Sequence, residues 1–184
     1  MQNEITELRN QVQELRVMVD ALMAQVSPDV IRAKKFEVVN DEGKIVAGLS
    51  ANEDGGFLGI GNNEGKPVAG LVATEDGGWL GIHNKDGKTV ASLGADENGG
   101  MLVISNKDEL PVAGLGADED GGWLGIHNKD GNTVASLGAD ENGGMMGIRN
   151  KDGKEVASLI ANEDGGFLDI GNKDGEAVVG LAPN

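Results

Sequence analysis

The sequence predicts a mainly β protein, in which 22-residue β-hairpin repeats form an elongated shaft that several copies of the chain build together. A parallel α-helical coiled coil is predicted at the N-terminal end. The first observation is a set of 22-residue blocks that begin at Phe57, Trp79, Met101, Trp123, Met145 and, truncated, Phe167. The second is a heptad pattern in the first 26 residues. Repeated units bury their apolar faces only against neighbouring units, which favours a scaffold over a catalyst.

The heptad pattern in residues 1–26 predicts an oligomerisation helix. β-Branched residues at position a and leucines at position d follow in the order Ile5, Leu8, Val12, Leu15, Val19, Leu22 and Val26. An isolated helix of this length is marginal in water, so self-association explains the pattern better than a helix folded back on its own chain. The residue types favour a parallel dimer and are also compatible with a trimer.

The chain after the helix divides into a predicted linker, residues 27–35, and a β-repeat shaft, residues 36–184, of about seven repeats. The repeat that begins at Trp79 represents the others. The segment 84–87 reads Asn-Lys-Asp-Gly, a sequence typical of a type I turn followed by a left-handed glycine bulge. A second turn, 96–100, ends in Gly-Gly, where a positive φ is expected. Each repeat therefore contains two strands and two turns, which predicts about a dozen short strands in a meander.

Pairing through the first turn predicts how the strands face each other. It places Asn84 opposite Lys88, Ile82 opposite Val90, and Leu80 opposite Ser92. One face then carries Leu80, Ile82 and Val90, and the other carries Trp79, Gly81, Ala91 and Leu93. Neither face is clearly polar, so several copies wound round a common axis are expected to cover the strands. Close approach of neighbouring backbones is expected at the small residues Gly48, Gly70, Ser92, Gly114, Ser136, Ser158 and Gly180.

Composition excludes several classes of protein. The chain has 31 acidic and 15 basic residues, a formal net charge of −16, and the repeats carry all of that charge. Such a surface repels nucleic acid and anionic membranes. There is no cysteine, so disulfides and thiolate chemistry are excluded. No apolar run approaches the ~20 residues of a membrane span, and no signal peptide is expected from the first residues.

A parallel coiled coil that runs into short β-repeats with glycine turns resembles the trimeric fibre shafts of viruses and bacteriophages. These include triple β-spirals and other interwoven three-chain β-prisms. The resemblance covers the whole chain at the level of architecture. It implies an elongated homotrimeric shaft of the β-prism or β-helix kind. It also implies a structural role as a fibre, spacer or appendage subunit, in an extracellular appendage or at a virion or particle surface. The chain also resembles short bacterial proteins built of acidic Asp-Gly-Lys hairpin repeats, from which no function follows.

The acidic turns contain half of a calcium-loop pattern. A calcium loop needs oxygen ligands at positions 1, 3 and 5, glycine at 6 and an acid at 12. With Gly87 at position 6, Asn84 and Asp86 fit, but Ile82 and Leu93 occupy positions 1 and 12. Ordinary β-turns are therefore expected, and no metal-binding or cofactor-binding residue is predicted.

The two histidines, His83 and His127, occupy equivalent positions two repeats apart. Residues 79–100 and 123–144 are identical except at Lys88 and Asn132, so the histidines are interpreted as copies of one filler position. A catalytic histidine needs partners at hydrogen-bonding distance, and no Ser/His/Asp grouping escapes the periodicity. No catalytic residue is predicted, and the chain is expected not to be an enzyme.

Large apolar residues at the start of the blocks suggest the main alternative function. An aromatic ladder of Phe57, Trp79, Trp123 and Phe167 could stack sugars, although Met101 and Met145 at the same position favour packing across an interface. The alternative is a binding module that presents these positions or the acidic turns to a carbohydrate, Ca²⁺ or a protein partner. Ile82 and Ile126 are expected to be buried in the assembly, and Lys85 and Lys129 to lie in solvated turns.

One turn departs from the consensus. At 107–110 the sequence reads Lys-Asp-Glu-Leu, so Glu109 occupies the position that is glycine elsewhere. A side chain at a left-handed position costs about 1 kcal/mol relative to glycine. A different turn is therefore expected here, with Pro111 limiting strand pairing beside it.

Overall fold

The computed structural model describes residues 2–25 and 32–183. The chain divides into two compact units, Met1–Lys34 and Lys35–Asn184. The first unit contains one helix, and the second contains fourteen strands in one sheet. Val26 and most of the predicted linker, residues 27–31, lie outside the described residues.

The helix α1 spans Gln2–Gln25 and contains the heptad positions from Ile5 to Leu22. In the single chain the side chains at the a and d positions are all more than half exposed. Glu4 lies in the first turn, where a negative charge is favourable to the helix dipole.

The strands are five to eight residues long, a usual length for globular proteins. They are β1 Lys35–Val39, β2 Ile45–Ala51, β3 Gly56–Gly61, β4 Pro67–Thr74, β5 Gly77–His83, β6 Thr89–Asp96, β7 Gly99–Ser105, β8 Pro111–Asp118, β9 Gly121–His127, β10 Thr133–Asp140, β11 Gly143–Arg149, β12 Glu155–Asn162, β13 Gly165–Gly171 and β14 Ala177–Leu181.

The sheet is a meander, because each strand pairs antiparallel with the strands before and after it in the chain. The order from β1 to β14 follows the sequence without a crossover. The predictions of a mainly β protein, of hairpin repeats and of a meander are confirmed, with fourteen strands where about a dozen were expected.

The Asn-Lys-Asp-Gly turns have the predicted geometry. The amide of Gly87 donates to the carbonyl oxygen of Asn84 (3.0 Å), and the amide of Asn84 donates to the carbonyl oxygen of Lys88 (2.8 Å). The Asn84 side-chain oxygen accepts from the amides of Asp86 and Lys88. Gly87 has φ 81°, in the left-handed region that glycine adopts without steric cost.

The Gly-Gly turns at the opposite ends of the strands need their first glycine for two reasons. Gly77 has φ 145°, which L-residues rarely adopt. A Cβ added to Gly77 would also stand 1.9 Å from the carbonyl oxygen of Ala95. The corresponding glycines at 55, 99, 121 and 143 make the same close approach to a neighbouring strand.

The irregular turn is not a different turn, so this expectation is wrong. Glu109 adopts the left-handed conformation with φ 66°, and it is the one non-glycine with positive φ among the described residues. Its amide donates to the carbonyl oxygen of Asn106 (3.1 Å), as glycine does elsewhere. Pro111 begins β8 opposite Ser105, so it takes the first position of a strand, where proline is tolerated.

The predicted strand register is wrong by one residue. Ile82 lies opposite Ala91 and Leu80 opposite Leu93, while His83 lies opposite Thr89. Val90 is the extra residue of a β-bulge between the paired positions 89 and 91. Seven hairpins are closed by a turn with the backbone hydrogen bonds described for Asn84, termed an Asn turn, which begins with asparagine at residues 40, 62, 84, 106, 128, 150 and 172. Each of them has a bulge at a valine, at Val46, Val68, Val90, Val112, Val134, Val156 and Val178. A one-residue shift exchanges the faces of the side chains.

Candidate functional site

The observed register separates the side chains into two different faces. Because Leu80 is paired with Leu93, and Leu93 with Leu102, the leucines form one continuous row along the sheet. This leucine row crosses all fourteen strands as Phe36, Leu49, Leu58, Leu71, Leu80, Leu93, Leu102, Leu115, Leu124, Leu137, Met146, Leu159, Leu168 and Leu181. At 4.7–4.9 Å per strand, the row extends for about 60 Å.

Two further rows flank the leucine row on the same face. Towards the Asn turns, isoleucine alternates with alanine, as in Ile82, Ala91 and Ile104. Towards the Gly-Gly turns, alanine alternates with glycine, as in Ala95 and Gly100. The three rows together are termed the aliphatic face. No charged residue occurs in these rows within the described strands.

The aliphatic face is uncovered in the single chain. Among the described residues no hydrophobic side chain is buried. Leu93 is 51% exposed and Ile82 is 47% exposed. The expected burial of the isoleucines is therefore not provided within one chain, whereas Lys85 and Lys129 do lie in exposed turns.

The opposite face is termed the glycine–aromatic face. It carries the large residue that begins each block and the row of Gly and Ser positions next to it. It also carries the polar strand residues, including Glu37, Ser92, His83, Arg149 and Asp169. Arg149 there donates to the Ser136 hydroxyl (3.1 Å) and lies 3.3 Å from the Glu155 carboxylate.

Aromatic rings cover the glycines of this face. The Trp123 indole lies over Gly114 and Gly116, where an added Cβ would come within 2.8 Å and 2.6 Å of the ring. The Phe57 ring lies in the same way over Gly59, where an added Cβ would come within 2.6 Å, but at Gly70 an added Cβ would be in ordinary contact at 3.5 Å. At position 114 the small residue therefore accommodates a ring of its own sheet.

The tryptophan side chains remain partly accessible. Trp79 is 37% exposed and Trp123 is 39% exposed. Between Trp79 and Trp123 lie four strand spacings, which corresponds to about 19 Å. Met101 holds the equivalent position between them. The aromatic positions thus lie on one face, as an interrupted series and not as a continuous ladder.

Each histidine contacts a threonine across the bulge. His83 Nδ1 lies 3.2 Å from the Thr89 hydroxyl, and His127 Nδ1 lies 3.1 Å from that of Thr133. The His83 ring is also 6.2 Å from the Trp79 ring, centroid to centroid. In the part of the chain that the structure describes, no three His, Cys, Asp or Glu residues are grouped closely enough to hold a metal ion.

The acidic turn residues are exposed and pair with adjacent lysines. The pKa of Asp86 lies below its ordinary value, first because the Lys85 ammonium donates a hydrogen bond to it and then through charge attraction. Lys107 lowers the pKa of Asp108 in the same way. Because their pKa values are lowered, both carboxylates are charged at neutral pH. Exposed ion pairs of this kind add little stability.

Successive Asn turns are also connected to one another. The side-chain amide of Asn150 donates to the carbonyl oxygen of Lys173 in the next turn (2.7 Å), and Asn40 donates to Asn63 (2.7 Å). In the irregular turn, the Glu109 carboxylate accepts from the amide of Thr89 (3.2 Å). Bonds of this kind join four of the pairs of successive turns along one edge of the described repeat array.

No protein-family model matches the sequence, and no curated protein matches it. No helix among the described residues is long and apolar enough to span a membrane.

Proposed function

We propose that this chain is a structural, non-enzymatic subunit that assembles as a parallel homotrimer and serves as a fibre, spacer or appendage. The observation that carries the proposal is the aliphatic face, an uncharged surface that crosses fourteen strands without a cover in the single chain. Contiguous exposed apolar patches much larger than a few hundred Å² are rare on monomeric soluble proteins and mark interaction sites.

The helix supports self-association independently of the sheet. Its a and d side chains, from Ile5 to Leu22, are more than half exposed in the single chain. In a parallel coiled coil these side chains would be buried against the same residues of other copies. Such a coil would bring the repeat arrays of the copies together in parallel and in register.

Burial of the aliphatic face contributes a free energy of the same order as the cost of assembly. Full burial of a leucine contributes about 1.5–3 kcal/mol relative to full exposure, so covering a half-exposed one contributes about 1 kcal/mol. The leucine row contains one residue from each of fourteen strands. Its burial therefore contributes on the order of 10 kcal/mol per chain, which is comparable to the cost of association, about 4–15 kcal/mol.

The surroundings of the polar side chains favour a scaffold over a catalyst. The acidic residues lie mainly in exposed turns, where Lys85 and Lys107 neutralise their neighbours. His83 and His127 repeat one environment with one threonine each. A catalytic centre needs a group of residues that differs from its surroundings, and the periodicity gives each repeat nearly the same groups.

Size-exclusion chromatography with light scattering tests the proposal. The expected mass is three times the 19.0 kDa of one chain. A monomer at micromolar concentration would contradict both the assembly and the structural role derived from it. A dimer would contradict the trimer while leaving self-association in place.

A second candidate function is a binding module, which the partly exposed tryptophans favour. Trp79 and Trp123 present their rings on the face that also carries serine and histidine side chains. Aromatic rings with adjacent hydrogen-bonding groups are suited to carbohydrate. Screening on a glycan array, and a Ca²⁺ titration followed by tryptophan fluorescence, separate the candidates, because a pure spacer gives no saturable response in either.

A further inference from the structure

The two faces of the sheet differ enough to assign an inside and an outside. The aliphatic face has no charged residue in its three rows, whereas the glycine–aromatic face carries Glu37, Arg149 and Asp169. Burial of charged groups costs desolvation energy even when they are paired, as Arg149 is with Glu155, so the second face is the poorer one to bury. The tryptophan rings on that face already cover glycines of their own sheet.

The size of the side chains on the aliphatic face varies along each strand. On β6 the residues are Ala91, Leu93 and Ala95, with the largest in the middle. On β5 they are Ile82, Leu80 and Gly78, with the smallest nearest the Gly-Gly turn. Two sheets packed face to face leave a gap of constant width, whereas three sheets round an axis leave most space at the middle of each face. The middle row carries a large residue on every strand, whereas the outer rows alternate with alanine or glycine, and this pattern suits three sheets.

The two outer rows also complement each other in size. In a three-fold assembly with all sheets facing inwards, the Asn-turn end of one sheet adjoins the Gly-Gly-turn end of the next. The bulky row of isoleucine and alanine, such as Ile82, then meets the small row of alanine and glycine, such as Ala95 and Gly100. Large side chains against small ones allow close approach at each corner.

We propose that the aliphatic face is buried against the aliphatic faces of two further copies of this chain, with the leucine row nearest the common axis and the glycine–aromatic face turned outwards. This inference rests on the homotrimer proposed above and adds which surface forms it. The partner is a copy of the same chain because the exposed heptad positions of α1 lead to parallel self-association. The net charge of −16 then lies on turns and outer surfaces.

Thiol accessibility tests the assignment of the faces, because the chain has no cysteine of its own. The variants are Leu93→Cys, in the leucine row, and Ser92→Cys, the adjacent residue on the opposite face. In the single chain Leu93 is the more exposed of the two, so a monomer reacts faster with a maleimide at position 93. In the proposed assembly, position 93 reacts at least tenfold more slowly than position 92. Mild oxidation also cross-links copies through position 93.

The outcomes separate this inference from the proposed function. An oligomer in which position 93 reacts freely and position 92 is protected keeps self-association and overturns the assignment of faces. A monomer with fast reaction at position 93 overturns both. Protection of position 93 only after phospholipid vesicles are added would make a lipid surface the partner, and the inference would be wrong. Circular dichroism of each variant verifies that the β-sheet is retained.

Discussion

The indole of Trp79 lies over Gly81, so closely that a Cβ on this glycine would stand 1.9 Å from the ring carbon Cη2. The same ring leaves ordinary space at Gly94, where a Cβ would stand 3.6 Å from Cδ1. Neither glycine has a positive φ, so the two positions differ in the room they leave and not in backbone strain. The pairing of ring and glycine therefore provides a matched comparison.

We expect Gly81→Ala to displace the Trp79 ring and to reduce stability by about 1 kcal/mol, because the ring loses apolar contact with the sheet. Gly94→Ala should change stability by less than about 0.5 kcal/mol. Thermal unfolding measures the stability. A Trp123→Phe background leaves Trp79 as the one fluorescent indole, whose emission should shift to the red in Gly81→Ala alone. Equal emission in both variants would mean that the ring does not cover Gly81 in solution.

The irregular turn yields the second prediction. Glu109 holds a left-handed φ of 66°, and its carboxylate accepts a hydrogen bond from the Thr89 amide. Glu109→Gly removes about 1 kcal/mol of strain. It also loses a bond that is long (3.2 Å) and exposed to water, so we expect that loss to be the smaller of the two effects. Together with Leu110→Lys, which restores the consensus, it should raise the melting temperature slightly.

Leu110→Lys alone is the control for that double variant. Leu110 is 48% exposed, so its replacement should be nearly neutral. If Glu109→Gly lowers the melting temperature, the bond to Thr89 contributes more than the backbone strain costs. If the control is strongly destabilising, Leu110 is covered by another copy in the assembly.

The third prediction concerns the connection between successive turns. The turns 150–154 and 84–88 have the same sequence, and both asparagines accept two backbone amides. Asn150 also donates to the carbonyl oxygen of Lys173. Asn150→Asp keeps the acceptor and removes the donor, so it should cost about 1 kcal/mol more than Asn84→Asp in chemical unfolding. Equal costs would mean that the bond between turns adds no stability.

The limits of the sequence pattern are visible in these same turns. The repeat length, the strands and the left-handed glycine at position 87 followed from hydrophobic periodicity and turn chemistry. The strand register did not follow from the sequence pattern, because one bulged residue, Val90, moves every later side chain of that strand to the opposite face. The sequence signal for the bulge was the valine that recurs six residues after the turn asparagine in every hairpin closed by an Asn turn, as at Asn84 and Val90. The covering of Gly81 by Trp79 had no such signal, because Trp123 in the same sequence context lies over Gly114 and Gly116 and leaves ordinary space at Gly125.

The fourth prediction separates the helix from the sheet. Deletion of residues 1–26 should weaken assembly and leave the β-sheet signal in circular dichroism unchanged, because the strands pair without the helix. The helix supplies register and local concentration, whereas the aliphatic face supplies most of the buried area. Dilution measured by analytical ultracentrifugation should show dissociation at higher concentration than for the full chain. An oligomer unchanged at nanomolar concentration would make the helix dispensable.

The last prediction is that salt strengthens the assembly at pH 7. Each copy carries a net charge of −16, so association in parallel brings like charges together. Neighbouring lysines hold the pKa values of Asp86 and Asp108 below their ordinary range, so these carboxylates stay charged at this pH. Their ion pairs join adjacent residues and therefore persist in the dissociated chain, so screening them changes the assembly equilibrium little.

Raising the salt from about 10 mM to about 150 mM shortens the Debye length from about 30 Å to about 8 Å. The melting temperature should therefore rise, and a fall would indicate that attractive ion pairs between copies outweigh the repulsion.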